Sequence, residues 1–129
     1  MEQDITIYVA KAEESLRTAE SEFANGRYNS CANRCYYACF QAAVAALLAE
    51  GIRARGQWSH AFVQGQFVGV FINQRHLYDT QLRRVLCDNQ HVREKADYRP
   101  ELVSATQASR ALRRTRTFVA AVRQRGGVA

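Results

Sequence analysis

Apolar residues return at three- and four-residue steps along almost the whole chain, which is the period of an α-helix. Ile5, Tyr8, Val9, Ala12, Leu16, Ala19 and Phe23 form the first stripe. Glu13, Glu14, Arg17, Glu20 and Glu22 fill the positions between. The pattern predicts a helix over 4–24, stopped by Asn25-Gly26. A second pattern follows at once, with small residues at helical spacing: Cys31, Cys35, Ala38, Cys39, Ala42 and Ala46. Such a face lets neighbouring helices come very close, so this stretch is expected to be the central, most buried helix. Asn29 or Ser30 is the expected start cap, and Gly51 the left-handed residue that ends it. A tight turn between the two helices makes them antiparallel neighbours.

Ser59 is a good cap for a third helix over about His60 to Asn73, with Phe62, Val63, Phe67, Val70 and Phe71 apolar. Gly65 and Gly69 lower its helical propensity and are expected to permit close packing. A fourth helix is predicted from Thr80 to Val92, with Leu82, Val85, Leu86 and Cys87. Arg93 to Pro100 then reads as a connection, since Pro100 disfavours helix just before it and suits the first turn of the next. The last helix is predicted over about 101–124, with Val103, Ala108, Ala111, Leu112, Thr115, Phe118, Val119 and Val122 inward. Gly126-Gly127 ends it and leaves a frayed tail. The expected fold is all-α, one domain over 1–129, an antiparallel bundle of four to five helices. If successive helices alternate up and down, the start of the third and the end of the fourth share one end of the bundle. His60 and the segment 93–98 then meet in space.

Composition agrees with one core built from long helices: 129 residues, 47% hydrophobic, a single Pro. Charge adds more. The net charge is +6 and the pI about 9.5. Residues 1–25 hold six acids and two bases, whereas residues 102–129 hold six Arg and no acid. Sixteen of the eighteen basic residues are Arg, which forks onto phosphate and stacks on bases better than Lys does. RNA is therefore the first candidate partner, with an ordinary Arg-rich surface as the alternative. No apolar run approaches the length of a membrane span. The acidic N-terminal stretch lacks an apolar signal core, so a cytoplasmic location and reduced cysteines are expected.

If an RNA partner is cut through its 2′-hydroxyl, as the family resemblance described below implies, the step needs a base, an acid and a cation on the phosphate. His60, Arg93, Asp97 and Tyr98 are the candidates: His60 for proton transfer, Arg93 for the phosphate, Asp97 to orient, Tyr98 to pack or donate. A structural Arg93–Asp97 ion pair, and binding without chemistry, are the competing readings. Arg53, Arg55 and Trp58 form a basic loop with one aromatic that could clamp single-stranded RNA, or else be a solvated loop with Trp58 tucked into the bundle. Of Tyr36 and Tyr37, one is expected in the core and the other at a groove. Arg110, Arg113 and Arg114 share a face, as a phosphate-tracking stripe or as solvated charge. Cys31, Cys35 and Cys39 lie in one helical row, which does not close a zinc tetrahedron, so they and Cys87 are expected to be small core residues.

The chain resembles the HEPN superfamily (higher eukaryotes and prokaryotes nucleotide-binding domain), above all its short stand-alone prokaryotic members. Gly26-Arg27-Tyr28 carry the likeness, followed by Ala32, Arg34, Tyr36-Tyr37-Ala38 and Phe40. Ser59-His60 with Val63, Phe67 and Phe71 come next, then Arg93 with Ala96-Asp97-Tyr98, and last Phe118-Val119. The resemblance spans about residues 10–122. It implies a helical bundle that pairs into a homodimer, needs neither metal nor cofactor, and acts on RNA or nucleotides. It also implies a metal-independent ribonuclease toxin beside a minimal nucleotidyltransferase antitoxin, although other members resemble non-catalytic nucleotide or RNA binders, and a catalytically inactive helical binding or adaptor protein is the alternative reading. In that setting Arg34 and Tyr37 join Arg53, Arg55 and Trp58 as RNA- or nucleotide-contacting residues. Active members carry an Arg, four to six residues, then a His. Here Arg93-Glu94-Lys95-Ala96-Asp97-Tyr98 puts an acid one residue short of that His. The bare spacing recurs at Arg53 to His60, Arg55 to His60 and Arg84 to His91, as chance allows in an Arg-rich chain.

Overall fold

The computed structural model describes residues 2–126. Helix α1 spans Glu2–Ala24 and α2 spans Tyr28–Ala49. Helix α3 begins as His60–Gln64 and continues without a break as a π-helix over Gly65–Gln74. After a 3-10 turn at Thr80–Leu82 come α4, Val85–Tyr98, and α5, Ala105–Arg125. The described residues contain no strand, and the fold is all-α. None of their helices is long and apolar enough to cross a membrane. The expected frayed tail, 127–129, lies outside the described residues.

Small side chains make α2 the axis. Cys31, Ala32, Cys35, Ala38, Cys39 and every residue from Ala42 to Leu48 are buried, so α1, α4 and α5 can all pack against it. Its C-terminus closes as the sequence suggests. Gly51 adopts φ +77°, and the N–H groups of Gly51 and Ile52 reach back to Leu48 and Leu47 at 3.0 and 2.9 Å. The start differs from expectation. Arg27 occupies the cap position without a side-chain bond. Asn29 instead accepts the Val103 N–H at 3.0 Å, which pins the chain before α5 to the foot of α2.

Helix directions follow from cross-contacts. Ser15 bonds Gln41, so α1 and α2 are antiparallel. Asn89 reaches Cys39 and Asn33 reaches Asp97, so α4 descends along α2. Arg116 pairs with Glu20 at 3.0 Å and Arg123 with Glu13 at 3.2 Å, so α5 rises against α1. Helix α3 breaks the expected alternation. His60 lies beside Tyr36, whereas Arg75 lies beside Glu50, 3.7 Å away. Residues 50–59 therefore double back about 20 Å along α2 at the helical rise, and α3 runs parallel to α2. His60 and Arg93 are brought to the middle of α2, not to a tip of the bundle.

Three further expectations are corrected. The fourth helix does not end at Val92: α4 runs on to Tyr98, held by the Arg93–Asp97 pair one turn apart. Pro100 is not in the first turn of α5. That helix starts at Ala105 behind a capping box, in which Ser104 accepts from the Gln107 N–H and Gln107 accepts from the Ser104 N–H. Gly65 and Gly69 do not mark close approaches, because a Cβ at either would meet nothing within 4 Å. Their segment is π-helical, with the Arg75 N–H on Val70 C=O five residues back.

The core has an aromatic centre. Phe67 packs on Phe118 and Tyr78 with ring centroids 4.8 Å apart in both pairs, and Phe71 sits 5.8 Å from Phe67. Each fully buried ring contributes roughly 1.5–3 kcal/mol by leaving water. Between α2, α4 and α5 lies a buried polar knot. Asn89, 1% exposed, donates to Cys39 Sγ and Thr115 Oγ1 and accepts from Arg114 Nε at 3.1 Å.

Candidate functional site

Tyr36 is the hub. It sits at mid-α2, 5% exposed, where the doubled-back loop delivers the first residue of α3 and α4 delivers its last two turns. The Tyr36 hydroxyl lies 3.1 Å from His60 Nδ1, and the two rings stack at 5.8 Å. The other imidazole nitrogen, Nε2, meets Gln64 Oε1 one turn along. A carboxamide oxygen only accepts, so this pairing assigns the proton to Nε2 and makes Nδ1 the acceptor of the tyrosine hydrogen. Ser59 positions His60, because its side chain accepts the Phe62 N–H at 3.1 Å and starts the helix there.

From the α4 side, the Arg93 guanidinium carbon lies 4.9 Å from the Tyr36 ring centroid, 5.3 Å from that of Tyr37 and 5.7 Å from that of Tyr98. Three aromatic rings thus surround one cation. Arg93 also donates to Asp97 Oδ2 at 3.3 Å and to the Tyr98 hydroxyl at 3.2 Å. Partial burial works against its charge, but Tyr37, Tyr98, Tyr36 and Asp97 outweigh it and hold its pKa above the ordinary arginine value. Burial pushes the Tyr36 phenol up, partly offset by Arg93.

The same oxygen of Asp97 accepts from Asn33 Nδ2 at 3.1 Å. Asn33 Oδ1 in turn takes both Nε and an NH2 group of Arg34, at 2.9 and 2.7 Å. The Arg34 guanidinium then lies 5.1 Å from the Tyr37 ring centroid. The result is one connected array, from Arg34 through Asn33, Asp97, Arg93 and Tyr36 to His60 and Gln64.

His60, Arg93, Asp97, Tyr98, Arg34 and Tyr37 therefore stand in this array. Arg53, Arg55 and Trp58 have no place in it. Arg53 pairs with Asp4 of α1 at 3.3 Å, and Trp58 is half-buried against Phe62 and the core. The last-helix stripe is also divided: Arg114 turns inward to Asn89 while Arg110 and Arg113 stay exposed. Part of the charge asymmetry between the chain's two ends resolves into two ion pairs between α1 and α5, Arg116 with Glu20 and Arg123 with Glu13. Cys31, Cys35 and Cys39 are buried and unbridged, with burial pushing the Cys39 thiol up to about 12. Cys87 is only partly buried. Among the described residues no three His, Cys, Asp or Glu side chains gather in a way that could hold a metal ion.

Sequence reasoning passed over Asn33 and Gln64 and treated Tyr36 mainly as packing. A signal was present: Asn33 stands one helical turn before both Tyr36 and Tyr37, so the three share one side of α2. Nothing local linked them to Asp97, 64 positions away from Asn33.

The family model of the HEPN domain matches residues 5–125. A Methanocaldococcus jannaschii protein named "Putative toxin" is 28% identical over 117 residues, covering 91% of this chain and 84% of that protein.

Proposed function

The chain belongs to the HEPN domain family, and on that premise we propose that it is the toxin half of a toxin–antitoxin pair, an endoribonuclease working through side chains alone. The single observation that carries this reading is the meeting of His60 and Arg93 on Tyr36. The name of the archaeal relative supports the toxin role. The partner is a minimal nucleotidyltransferase antitoxin, and the toxin acts as a homodimer in the cytoplasm.

In the proposed step, the RNA 2′-oxygen bonds to phosphorus while the bond to the 5′-oxygen breaks. The 2′-hydroxyl proton passes to the Tyr36 oxygen as the Tyr36 proton moves to His60 Nδ1. Arg93 faces the charge that grows on the phosphate. Tyr98, whose oxygen already accepts from Arg93, gives its proton to the departing 5′-oxygen. Asp97 orients Arg93, and Arg34 with Tyr37 holds the adjoining strand. The products are a 2′,3′-cyclic phosphate and a 5′-hydroxyl.

One observation favours a second reading, an RNA binder without chemistry. Both His60 nitrogens already have partners, and Asp97 balances Arg93. The two readings separate in one experiment. Labelled RNA is incubated with the purified chain in EDTA, and the new ends are identified. Cyclic-phosphate ends that vanish with His60→Ala support the enzyme. Salt-sensitive binding with intact RNA supports the binder. Neither binding nor cutting leaves a helical adaptor.

A further inference from the structure

Beside the array lies a polar cleft of about 380 Å³ between α1 and α2. Thr18 and Glu22 line it from α1, Ser30, Asn33 and Arg34 from α2, and Asp97 from the end of α4. The helical period explains the walls: Thr18 and Glu22 are one turn apart, as are Ser30 and Arg34. Asp97 belongs both to this cleft and to the Arg93 pair, so whatever fills the cleft adjoins the Arg93 site.

Its charge is wrong for a phosphate, since two carboxylates face one guanidinium. Its shape and chemistry suit a base. Arg34 is held by Asn33 and Tyr37, and a guanidinium plane fixed in this way is a stacking surface for a nucleobase. The Asp97 Oδ2 atom is already taken by Arg93 and Asn33. Glu22 makes only a loose 3.8 Å pair with the exposed Arg27. Its two oxygens accept and never donate. Guanine offers two adjacent donors, N1–H and the exocyclic amine. Adenine and cytosine place an acceptor beside their amine, and uracil sets one N–H between two carbonyls. A carboxylate at the rim therefore favours guanine.

We propose that the α1–α2 cleft seats a guanine next to the phosphate held at Arg93, with Arg34 as its stacking surface and Glu22 as the carboxylate that reads its edge. This rests on the reading of the chain as RNA-acting.

Binding tests it without requiring cleavage. Fluorescence anisotropy is measured in EDTA with labelled 2′-O-methyl hexanucleotides, which cannot be cut through the 2′-oxygen. Each carries one G, A or C in a uridine background, or is all uridine. The G oligonucleotide is expected to bind about tenfold tighter than the others. Glu22→Gln is expected to erase that advantage, so that the G oligonucleotide binds no tighter than those carrying A, C or uridine alone. Arg34→Ala is expected to weaken every oligonucleotide alike. Equal affinity for all bases, or a G advantage that survives Glu22→Gln, overturns the guanine seat and leaves RNA binding standing. If no oligonucleotide binds, the cleft and the RNA-acting reading fall together.

Discussion

The Tyr36 hydroxyl stands 3.1 Å from His60 Nδ1, joining a residue of mid-α2 to the first residue of α3. These two positions are 24 residues apart, and only the doubling back of residues 50–59 brings them together. The bond orients the imidazole, while the Tyr36 ring carries the Arg93 cation on the α4 side. One phenol thus links the group proposed to take a proton with the group proposed to hold the phosphate.

Tyr36→Phe separates the two roles of that phenol. The ring, its packing and the cation contact remain, and the hydroxyl goes. Loss of a proton-transfer partner typically costs about 100-fold or more in rate. Single-turnover cleavage is expected to slow by at least that much, with the melting temperature nearly unchanged. RNA affinity is expected to stay within about twofold of the wild type, since no phosphate contact is removed.

Asn89→Leu tests the buried knot. The substitution strands Arg114, whose Nε loses its acceptor, and takes one donor from Thr115, which keeps its own bond to the Ala111 carbonyl. A buried polar group left unsatisfied costs roughly 1–3 kcal/mol. Urea unfolding is expected to show a stability loss of about 2–3 kcal/mol at an unchanged slope.

Phe118→Ala removes the ring against which Phe67 packs at 4.8 Å. Phe118 is fully buried, and the surrounding rings cannot all collapse into the space. The expected loss is about 3–5 kcal/mol, read from the same urea titration. It should exceed that of Arg116→Ala, which breaks only an exposed pair to Glu20 and is expected to cost about 0–1 kcal/mol.

Tyr78 makes the fold sensitive to alkali. Burial pushes its phenol from 10.0 up to about 12. The folded state thus holds its proton more tightly than the unfolded chain does. That contribution is whole below pH 10 and is lost as pH rises from about 10 to about 12. Thermal unfolding is expected to fall across that window, and less steeply in Tyr78→Phe. Some slope should persist, because burial also raises Cys39 and Tyr36.

What could be read from the sequence was what local chemistry encodes. The stripe from Ile5 to Phe23, the small-residue face of α2, the Ser59 cap and the Gly51 stop all act within a turn or two of themselves. The direction of α3 does not. It depends on which partners residues 50–59 find when they double back, and alternation of neighbours wrongly supplied an answer. The meeting of His60 with the Arg93 segment was nonetheless inferred, because α3 and α4 do oppose each other. The end of α4 was misplaced, since Pro100 disfavours helix only at the residue before it and Arg99 is the one that turns extended. The Ser104–Gln107 capping box was present in the sequence and outranked Pro100 as the true start of α5. Asn33 shares a side of α2 with Tyr36 and Tyr37, but its bond to Asp97, like the partners of Asn89, is not legible locally, because an amide's partners across a bundle are fixed only by packing.

The central claim is that Arg93 and His60 act together on one RNA phosphate. Single-turnover cleavage of an end-labelled RNA in EDTA should be compared for the wild type, Arg93→Ala, His60→Ala and the double variant, each checked for an intact fold. The expected result is cleavage by the wild type, at least about 100-fold loss in each single variant, and no further loss in the double, as for groups that work as one unit. Wild-type rates in either single variant, or bound but uncut RNA with the wild type, would contradict it.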